Sequence, residues 1–371
     1  MTDKWLLPEL VFDGDHLRPD MALKIRDDRI VALTPRNEAP SGAEPVSGIV
    51  APGFIDLQVN GGGGFLLNAT PTADAMSRIA AAHRPFGTVG ILPTVITDTP
   101  EVMAAAVDAA LEAQSDTALL GLHIEGPHIA PPRRGTHAER FIRPMDASTI
   151  AHVERLRAAG IPVMITLAPE AATTAQIRAL ADTGAIISIG HSDATADETH
   201  AAIAAGATCA THLFNAMSPM LNRAPGVVGA VINSDIHAGL IVDGYHVADE
   251  MIALAIRARP VADRMFLVSD AMPTVGGPDQ FDLYAQSVRL CDGRLVNAEG
   301  SLAGAHLTQA TGLHRLHTIV GIDRETALRM AISIPARLIG RESHAGIINR
   351  PVSEIIRLSD DLSFSGYLLE P

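Results

Sequence analysis

The chain has 371 residues, 47% hydrophobic and 19% charged, which allows one large folded domain with an appendage and argues against wholesale disorder. Its formal net charge of −14 argues against non-specific binding to nucleic acid or to a membrane surface, both of which need a basic field. The two cysteines, Cys209 and Cys291, are too far apart for a metal motif or a disulfide framework, and no apolar run suits a signal peptide or a membrane helix, so a cytoplasmic protein is expected.

Short strands joined by tight turns are expected in the first fifty residues. From residue 53 onward, apolar strand-like runs alternate with alanine-rich helical runs, one of which ends at a candidate C-cap, Gly206. There are eight strand candidates: FIDLQVN, VGILPTVIT, ALLGLHIEGP, VMITLAPE, IISIGHSD, CATHLFNA, GLIVDGYH and MFLVSDAM. Eight strands with interleaved helices predict an α/β fold, a (β/α)8 TIM-type barrel, and an open doubly wound sheet is the alternative.

The predicted barrel spans residues 53–340 and carries a β insertion near residues 280–300. The C-terminal tail returns to a strand-like pattern. We therefore expect residues 1–52 and 341–371 to join as a small β-sandwich domain.

Polar residues follow four of the predicted strands, at the end where barrel enzymes place their active sites. Glu125, His191 and His212 make a ligand set of one carboxylate and two imidazoles, as in catalytic zinc-type sites. Asp270 is a candidate proton acceptor for a water made acidic by such an ion. Each has another interpretation: a structural histidine, an ion pair of Glu125 with an arginine, or a helix cap at Asp270.

Several stretches together resemble one known family. They are APGFIDLQVNGGGG, GLHIEGPHI, RGTHAERF, GHSDAT, THLFNAM, APGVVGA, DGYHV and VSDAMP, in order over roughly residues 51–340. Their combination resembles the N-acetylglucosamine-6-phosphate deacetylases of the amidohydrolase superfamily. The resemblance implies a metal-dependent hydrolase that releases acetate from N-acetylglucosamine 6-phosphate in amino-sugar catabolism.

The resemblance also implies roles for individual residues. Glu125, His191 and His212 would bind the metal, Asp270 would be general base and then general acid, and His137 would help polarise the acetyl carbonyl. The implied substrate contacts are Thr136, His137, Asn215, Ala216, Arg223, His246, Leu302 and Ala303. Arg223 and His246 would hold the phosphate, although without its flanking motif Arg223 reads as an ordinary surface arginine. In the family, part of this phosphate grip comes from the neighbouring subunit, so a homodimer with the phosphate site near the interface is expected.

Departures from the family pattern bear on the metal and on the substrate. Many amidohydrolases have His-x-His at the end of the first strand, where this chain has Gln58 and Asn60. Amides are weak ligands for a zinc-like ion, so one divalent ion per subunit is expected: zinc, with iron, cobalt or manganese as alternatives. Gln58 and His123 are expected to support the ligands without binding the ion. Ala305-His306 replaces the small hydroxyl residues usual in the family.

Three hypotheses follow for function. The first is deacetylation of N-acetylglucosamine 6-phosphate. The second keeps this chemistry and changes the substrate, to N-acetylgalactosamine 6-phosphate or another N-acyl compound. The third is a non-catalytic sugar-phosphate binding protein that kept the fold.

Overall fold

The computed structural model of the chain describes residues 3–297, 300 and 302–369. Its N-terminal part is built of five strands, as the short strand-like runs predict. They are β1 (Lys4–Phe12), β2 (Leu17–Pro19), β3 (Met21–Arg26), β4 (Arg29–Pro35) and β5 (Glu44–Pro52).

The central sheet confirms the predicted barrel, because each of the eight strand candidates overlaps one of its parallel strands. These strands are β6 (Phe54–Val59), then, after the short pair β7 (Gly61–Gly62) and β8 (Phe65–Leu66), β9 (Thr88–Ile96), β10 (Leu122–Glu125), β11 (Val163–Leu167), β12 (Ile186–Ile189), β13 (Ala207–Ala210), β14 (His237–Leu240) and β15 (Met265–Leu267). Their order in the sheet follows the chain from β6 and β9 to β15. Strands buried on both faces read as continuous apolar runs, and all nine residues of β9 are buried.

The barrel closes between its first and last strands through contacts just beyond β15. The amide of Asp270 donates to the carbonyl of Gln58 at 3.0 Å, and the amide of Asn60 donates to the carbonyl of Ala271 at 2.9 Å. These bonds hold the ends of the first and eighth strands side by side, so the side chains that follow them share the mouth of the barrel.

Seven helices lie between β8 and β15 in the described chain. They are α1 (Ala73–His83), α2 (Pro100–Glu112), α3 (Ala147–Ala158), α4 (Thr174–Asp182), α5 (Ala196–Ala205), α6 (Gly226–Ile232) and α7 (Asp249–Ala258). The side chains of Thr72, Thr99, Asp146, Thr173 and Thr195 cap the first five, each accepting a bond from a backbone amide of the first turn. Gly206 ends α5 with φ of 121°, which confirms the predicted cap.

The predicted insertion is a three-stranded antiparallel sheet of β16 (Gln280–Leu283), β17 (Gln286–Cys291) and β18 (Arg294–Val296). Residues 298 and 299 of the predicted range lie outside the described residues. Leu283, Val288 and Leu295 pack in one apolar cluster with Ile96 and Met272 of the barrel rim. The insertion therefore covers part of the barrel mouth.

The chain ends with α8 (Gln309–Thr318), α9 (Arg324–Ala331), α10 (Ser333–Leu338), α11 (Glu342–Ala345), β19 (Ile355–Leu358) and β20 (Phe364–Tyr367). Strand β19 pairs antiparallel with β5, so the C-terminal strands join the N-terminal strands in one seven-stranded sheet with its own apolar core. The fold class is confirmed, whereas the boundaries at residues 52 and 341 remain predictions. No helix in the described part of the chain is long and apolar enough to cross a membrane.

Candidate active site

The three predicted metal ligands converge at the carboxyl end of the barrel. Glu125 is the last residue of β10, while His191 and His212 lie two residues beyond β12 and β13. The Oε1 atom of Glu125 lies 3.2 Å from Nε2 of His191 and 3.0 Å from Nε2 of His212. All three side chains are buried, and their candidate ligand atoms lie within 4.8 Å of one another.

The backbone at this end of the barrel takes an uncommon conformation that aims these side chains. His191, His212 and Asp270 have φ values of 48°, 30° and 51°, in the left-handed region. For a residue other than glycine this conformation costs about 1–3 kcal/mol, and it is concentrated at functional sites. The same positive φ recurs after three different strands, which indicates that the backbone there is arranged to position functional side chains.

The hydrogen bonds of His191 show which ring nitrogen faces the cluster. Its Nδ1 lies 2.9 Å from the carbonyl of Arg133, and a carbonyl can only accept, so Nδ1 carries the proton. The Nε2 lone pair of His191 then points toward the carboxylate of Glu125. Nε2 of His212 lies 3.1 Å from Nε2 of His191. Two imidazole nitrogens and a carboxylate oxygen thus meet at one buried point, where a divalent ion would offset the cost of burying them, so these residues fit such an ion.

The electrostatics of the cluster agree with a site built for positive charge. Burial would raise the pKa of Glu125, but the adjacent imidazoles of His191 and His212 hold it well below its usual range. Burial would lower the pKa of His212, but the bond to Glu125 raises it overall. Glu125 is therefore kept as a carboxylate, the form that binds a metal.

Gln58 and Asn60 connect the ligand cluster to Asp270. The amide nitrogen of Gln58 lies 3.0 and 3.1 Å from the two carboxylate oxygens of Glu125 and 3.2 Å from Oδ1 of Asp270. The side-chain amide of Asn60 donates to the same Oδ1 at 2.6 Å. Burial, and then the negative charge of Glu125, raise the pKa of Asp270 to about 6. A carboxyl group with this pKa suits proton transfer near neutral pH.

His137 lies beside the ligands in the loop after β10. The centroid of its ring is 4.3 Å from that of His191, and its Nδ1 lies 2.8 Å from the hydroxyl of Thr97. Burial, with the nearby His191, lowers the pKa of His137 well below its usual value. His137 therefore faces the site as a neutral imidazole.

His123 lies deeper in the barrel than the ligands, two residues before Glu125. Its Nδ1 donates to the carbonyl of Leu57 at 3.1 Å, and its Nε2 accepts from the hydroxyl of Thr166 at 2.7 Å. Burial lowers its pKa to about 4, so it stays neutral. With both nitrogens engaged, His123 has no lone pair left for a metal, and its predicted supporting role stays a prediction.

A cavity of about 170 Å³ opens in front of the ligands. Most of the residues predicted to contact substrate line it: Thr136, His137, Asn215, Ala216, His246 and Leu302. Ala303 is buried beside Leu302 and Gly304, which both line the cavity, but is not itself among the lining residues. Arg223 is exposed and does not line the cavity. Among the described residues, no lysine or arginine lines it.

His246 is held by a partner that the sequence analysis did not single out. Its Nδ1 lies 2.6 Å from Oδ2 of Asp243, and both side chains are nearly buried. Asn60, Thr97 and Asp243 are thus site residues without an assigned role in the sequence analysis. Asn60 and Thr97 each follow the last residue of a barrel strand, a position that could have marked them.

A larger hollow of about 440 Å³ lies beside the site, between the loops after β10, β11 and β12. Its carboxylates already have partners: Glu170 accepts from the hydroxyl of Ser192 at 2.8 Å and from the amide of Asp193 at 2.6 Å. Neither the ligand cluster nor Asp270 lines this hollow. The smaller cavity is therefore the candidate active site.

Comparison with known proteins agrees with this geometry. The model of the amidohydrolase family matches residues 49–350. An N-acetylgalactosamine-6-phosphate deacetylase from Shewanella sp. (strain ANA-3) is 38% identical over 95% of this chain and 91% of its own. An N-acetylglucosamine-6-phosphate deacetylase from Haemophilus influenzae is 32% identical over 91% and 89%. The crystal structure of the latter enzyme from Pasteurella multocida superposes with a TM-score of 0.91 at 32% identity, covering 99% of this chain and 98% of that one. The chain therefore belongs to the amidohydrolase family, as its motifs predict.

Proposed function

We propose that the protein hydrolyses the acetamido group of N-acetylglucosamine 6-phosphate and releases acetate and glucosamine 6-phosphate. The observation that carries the proposal is the buried cluster of Glu125, His191 and His212 beside Asp270. Relatives named as deacetylases of amino-sugar 6-phosphates cover nearly the whole chain, which supports the same class of substrate.

Glu125, His191 and His212 would hold one divalent ion, with zinc as the proposed metal and iron, cobalt or manganese as alternatives. When bound, such an ion polarises the acetyl carbonyl and lowers the pKa of a water molecule. One ion per subunit is proposed because Gln58 and Asn60 stand where many amidohydrolases have two histidines, and the side-chain nitrogen of Gln58 faces Glu125.

Asp270 would move the proton. Oδ1 of Asp270 accepts from the side-chain amides of Asn60 and Gln58, and its Oδ2, which accepts no hydrogen bond from the described residues, would take the proton of the attacking water. As the water oxygen bonds to the acetyl carbon, this proton passes to Asp270. The carboxyl group then delivers it to the amine nitrogen as the carbon–nitrogen bond breaks. His137 would stabilise the negative charge that develops on the acetyl oxygen.

The phosphate end supports a homodimer. A phosphate group needs hydrogen-bond donors, and His246 is the candidate donor that one subunit supplies to the cavity wall. Arg223 is exposed next to Met220 and Leu221, which are 41% and 58% exposed. We propose that this segment packs on a second copy of the chain and brings Arg223 to the phosphate bound there.

A cytoplasmic location completes the proposal. Cys209 is buried and Cys291 exposed, and both are free thiols. Free thiols suit a reducing compartment, where phosphorylated sugars are also metabolised.

N-acetylgalactosamine 6-phosphate is a second candidate substrate, favoured by the name of the Shewanella relative, which is 38% identical to this chain. The two sugars differ in the orientation of one hydroxyl group, so a site can select between them by a single well-placed hydrogen bond.

Acetate release from both phosphorylated sugars and from their unphosphorylated forms tests the proposal. We expect kcat/KM to be highest for N-acetylglucosamine 6-phosphate and at least about tenfold lower without the phosphate. A higher kcat/KM for the galactosamine derivative would establish the second candidate. Acetate release from none of the four would overturn both.

A further inference from the structure

Thr97 lies where three parts of the site meet. It follows the last residue of β9 and is fully buried. Its hydroxyl lies 2.8 Å from Nδ1 of His137 and 3.5 Å from the carbonyl of Glu125. The hydroxyl of Tyr284, on the insertion, donates to the backbone carbonyl of Thr97. Thr97 therefore contacts a metal-ligand strand, the catalytic imidazole and the cover of the barrel mouth at once.

The position of Thr97 is tightly fixed. A Cβ added at Gly126, where φ is 84°, would lie 2.2 Å from the Thr97 hydroxyl, so glycine is required there for the hydroxyl to fit. On the insertion side, the guanidinium of Arg140 lies 4.5 Å from the ring centroid of Phe141 and 5.9 Å from that of Tyr284. These contacts restrain Tyr284 and, through it, the backbone of Thr97.

The hydroxyl of Thr97 has one proton, and the two distances decide where it goes. If Nδ1–H of His137 donated to Thr97, the buried hydroxyl proton would be left with the Glu125 carbonyl at 3.5 Å, which is too long for a good bond. If Thr97 donates to Nδ1, its proton is used in the 2.8 Å bond. The second arrangement leaves the imidazole proton on Nε2, which has no hydrogen-bond partner among the described residues.

We propose that Thr97 is a positioning residue that fixes the ring of His137 and places its proton on Nε2, where it donates to the acetyl oxygen of the substrate. This inference rests on the proposed function, because it assigns the hydrogen-bond donor for the same hydrolysis. This hydrogen bond would stabilise the transition state more than the bound substrate, because the acetyl oxygen becomes more negative as the carbonyl carbon is attacked.

Substitutions at Thr97 test whether its hydroxyl group contributes to kcat. Thr97→Val keeps the shape of the side chain and removes its proton, so we expect kcat to fall by about 10- to 100-fold with KM changed less than about threefold. Thr97→Ser retains the hydroxyl and should stay within about threefold of wild type. Metal content and thermal midpoint, measured for each variant, show whether the fold and the ion are retained.

A double-mutant cycle with His137→Ala distinguishes positioning from a general structural effect. If Thr97 acts through His137, adding Thr97→Val to His137→Ala lowers kcat by less than about twofold. A further fall as large as the fall in the wild-type background would overturn the proposal.

Nitrogen NMR of histidine-labelled protein provides a readout independent of activity. His137→Gln identifies the His137 signals by their loss. We expect an unprotonated Nδ1 and a protonated Nε2 in the wild-type protein, and loss of that preference in Thr97→Val. A protonated Nδ1 in wild type would overturn the proposal whether or not acetate is released. Absence of acetate release together with the expected tautomer would count against the proposed function and not against the role of Thr97.

Discussion

The two ends of the cavity are built in different ways. At the proposed metal end, Glu125, His191 and His212 lie at the ends of barrel strands or two residues beyond them, are buried, and converge within 4.8 Å. At the phosphate end, His246 comes from the loop after β14, and Arg223 lies on an exposed segment outside the cavity. Bond-making groups are thus positioned by the rigid sheet, whereas the groups proposed to recognise the phosphate depend on loops and on a second subunit.

Removal of the proton-transferring carboxylate at Asp270 should lower activity without releasing the metal. We expect Asp270→Asn to lower kcat by about 10²- to 10⁴-fold, because it removes the general base and acid while the three ligands remain. Acetate release and metal content, measured on the same sample, check this expectation. Asp182→Asn, an exposed aspartate at the end of α4, is the matched control and should leave both unchanged. Loss of metal from Asp270→Asn would make Asp270 a ligand.

Loss of the Arg223 side chain should lower activity on the phosphorylated sugar and not on the unphosphorylated one. We expect Arg223→Ala to lower kcat/KM for the phosphorylated sugar by about 10- to 100-fold, the value of one or two charge-assisted hydrogen bonds. The unphosphorylated sugar should be affected less than about twofold. Arg178→Ala, at an exposed position on α4, is the control. An equal loss on both sugars would contradict a phosphate-binding role.

Co-expression of two impaired variants tests whether Arg223 serves the neighbouring site. In a hybrid of Asp270→Asn and Arg223→Ala subunits, one site has an intact Asp270 and receives Arg223 from the other subunit. Random assembly should then restore about a quarter of wild-type activity, because half of the dimers carry one complete site. If Arg223 acted within its own subunit, co-expression would restore nothing beyond the average of the two variants.

Asp56, inside the barrel below the proposed metal ligands, should affect the stability of the fold and its dependence on pH. Asp56 is buried, accepts bonds from the amides of Gln58 and Ser269, and burial raises its pKa to about 7. The folded protein thus keeps the proton at pH values where the unfolded chain has lost it. The stability from this difference is fully present below pH 4 and is lost as pH rises through 7.

Asp56→Asn does not titrate, so the variant should gain stability relative to wild type by about 2–4 kcal/mol between pH 4 and pH 8. Urea unfolding of both proteins at a series of pH values measures the difference. A constant difference across this range would mean that Asp56 is ionised in the folded protein.

The convergence of the three proposed metal ligands could be predicted from the sequence, whereas the position of Arg223 outside the cavity could not, for a physical reason. Strand ends of a barrel meet at one mouth, so residues such as Glu125 and His212 could be placed together from strand order alone. The contacts of Gln58 with Asp270 and of Thr97 with His137 depend on side-chain geometry between strands, which periodicity does not encode. The resemblance assigned Arg223 to the phosphate, but its place outside the cavity depends on the path of a loop.

Removal and restoration of the metal would show whether acetate release depends on an ion bound by Glu125, His191 and His212. The protein would be stripped with a chelator, reloaded with zinc, iron, cobalt or manganese, and assayed for acetate release from N-acetylglucosamine 6-phosphate, with bound ions counted per subunit. We expect stripping to abolish acetate release and activity to return in proportion to occupancy, reaching its maximum at one ion per subunit. Undiminished acetate release by the metal-free protein would contradict this expectation.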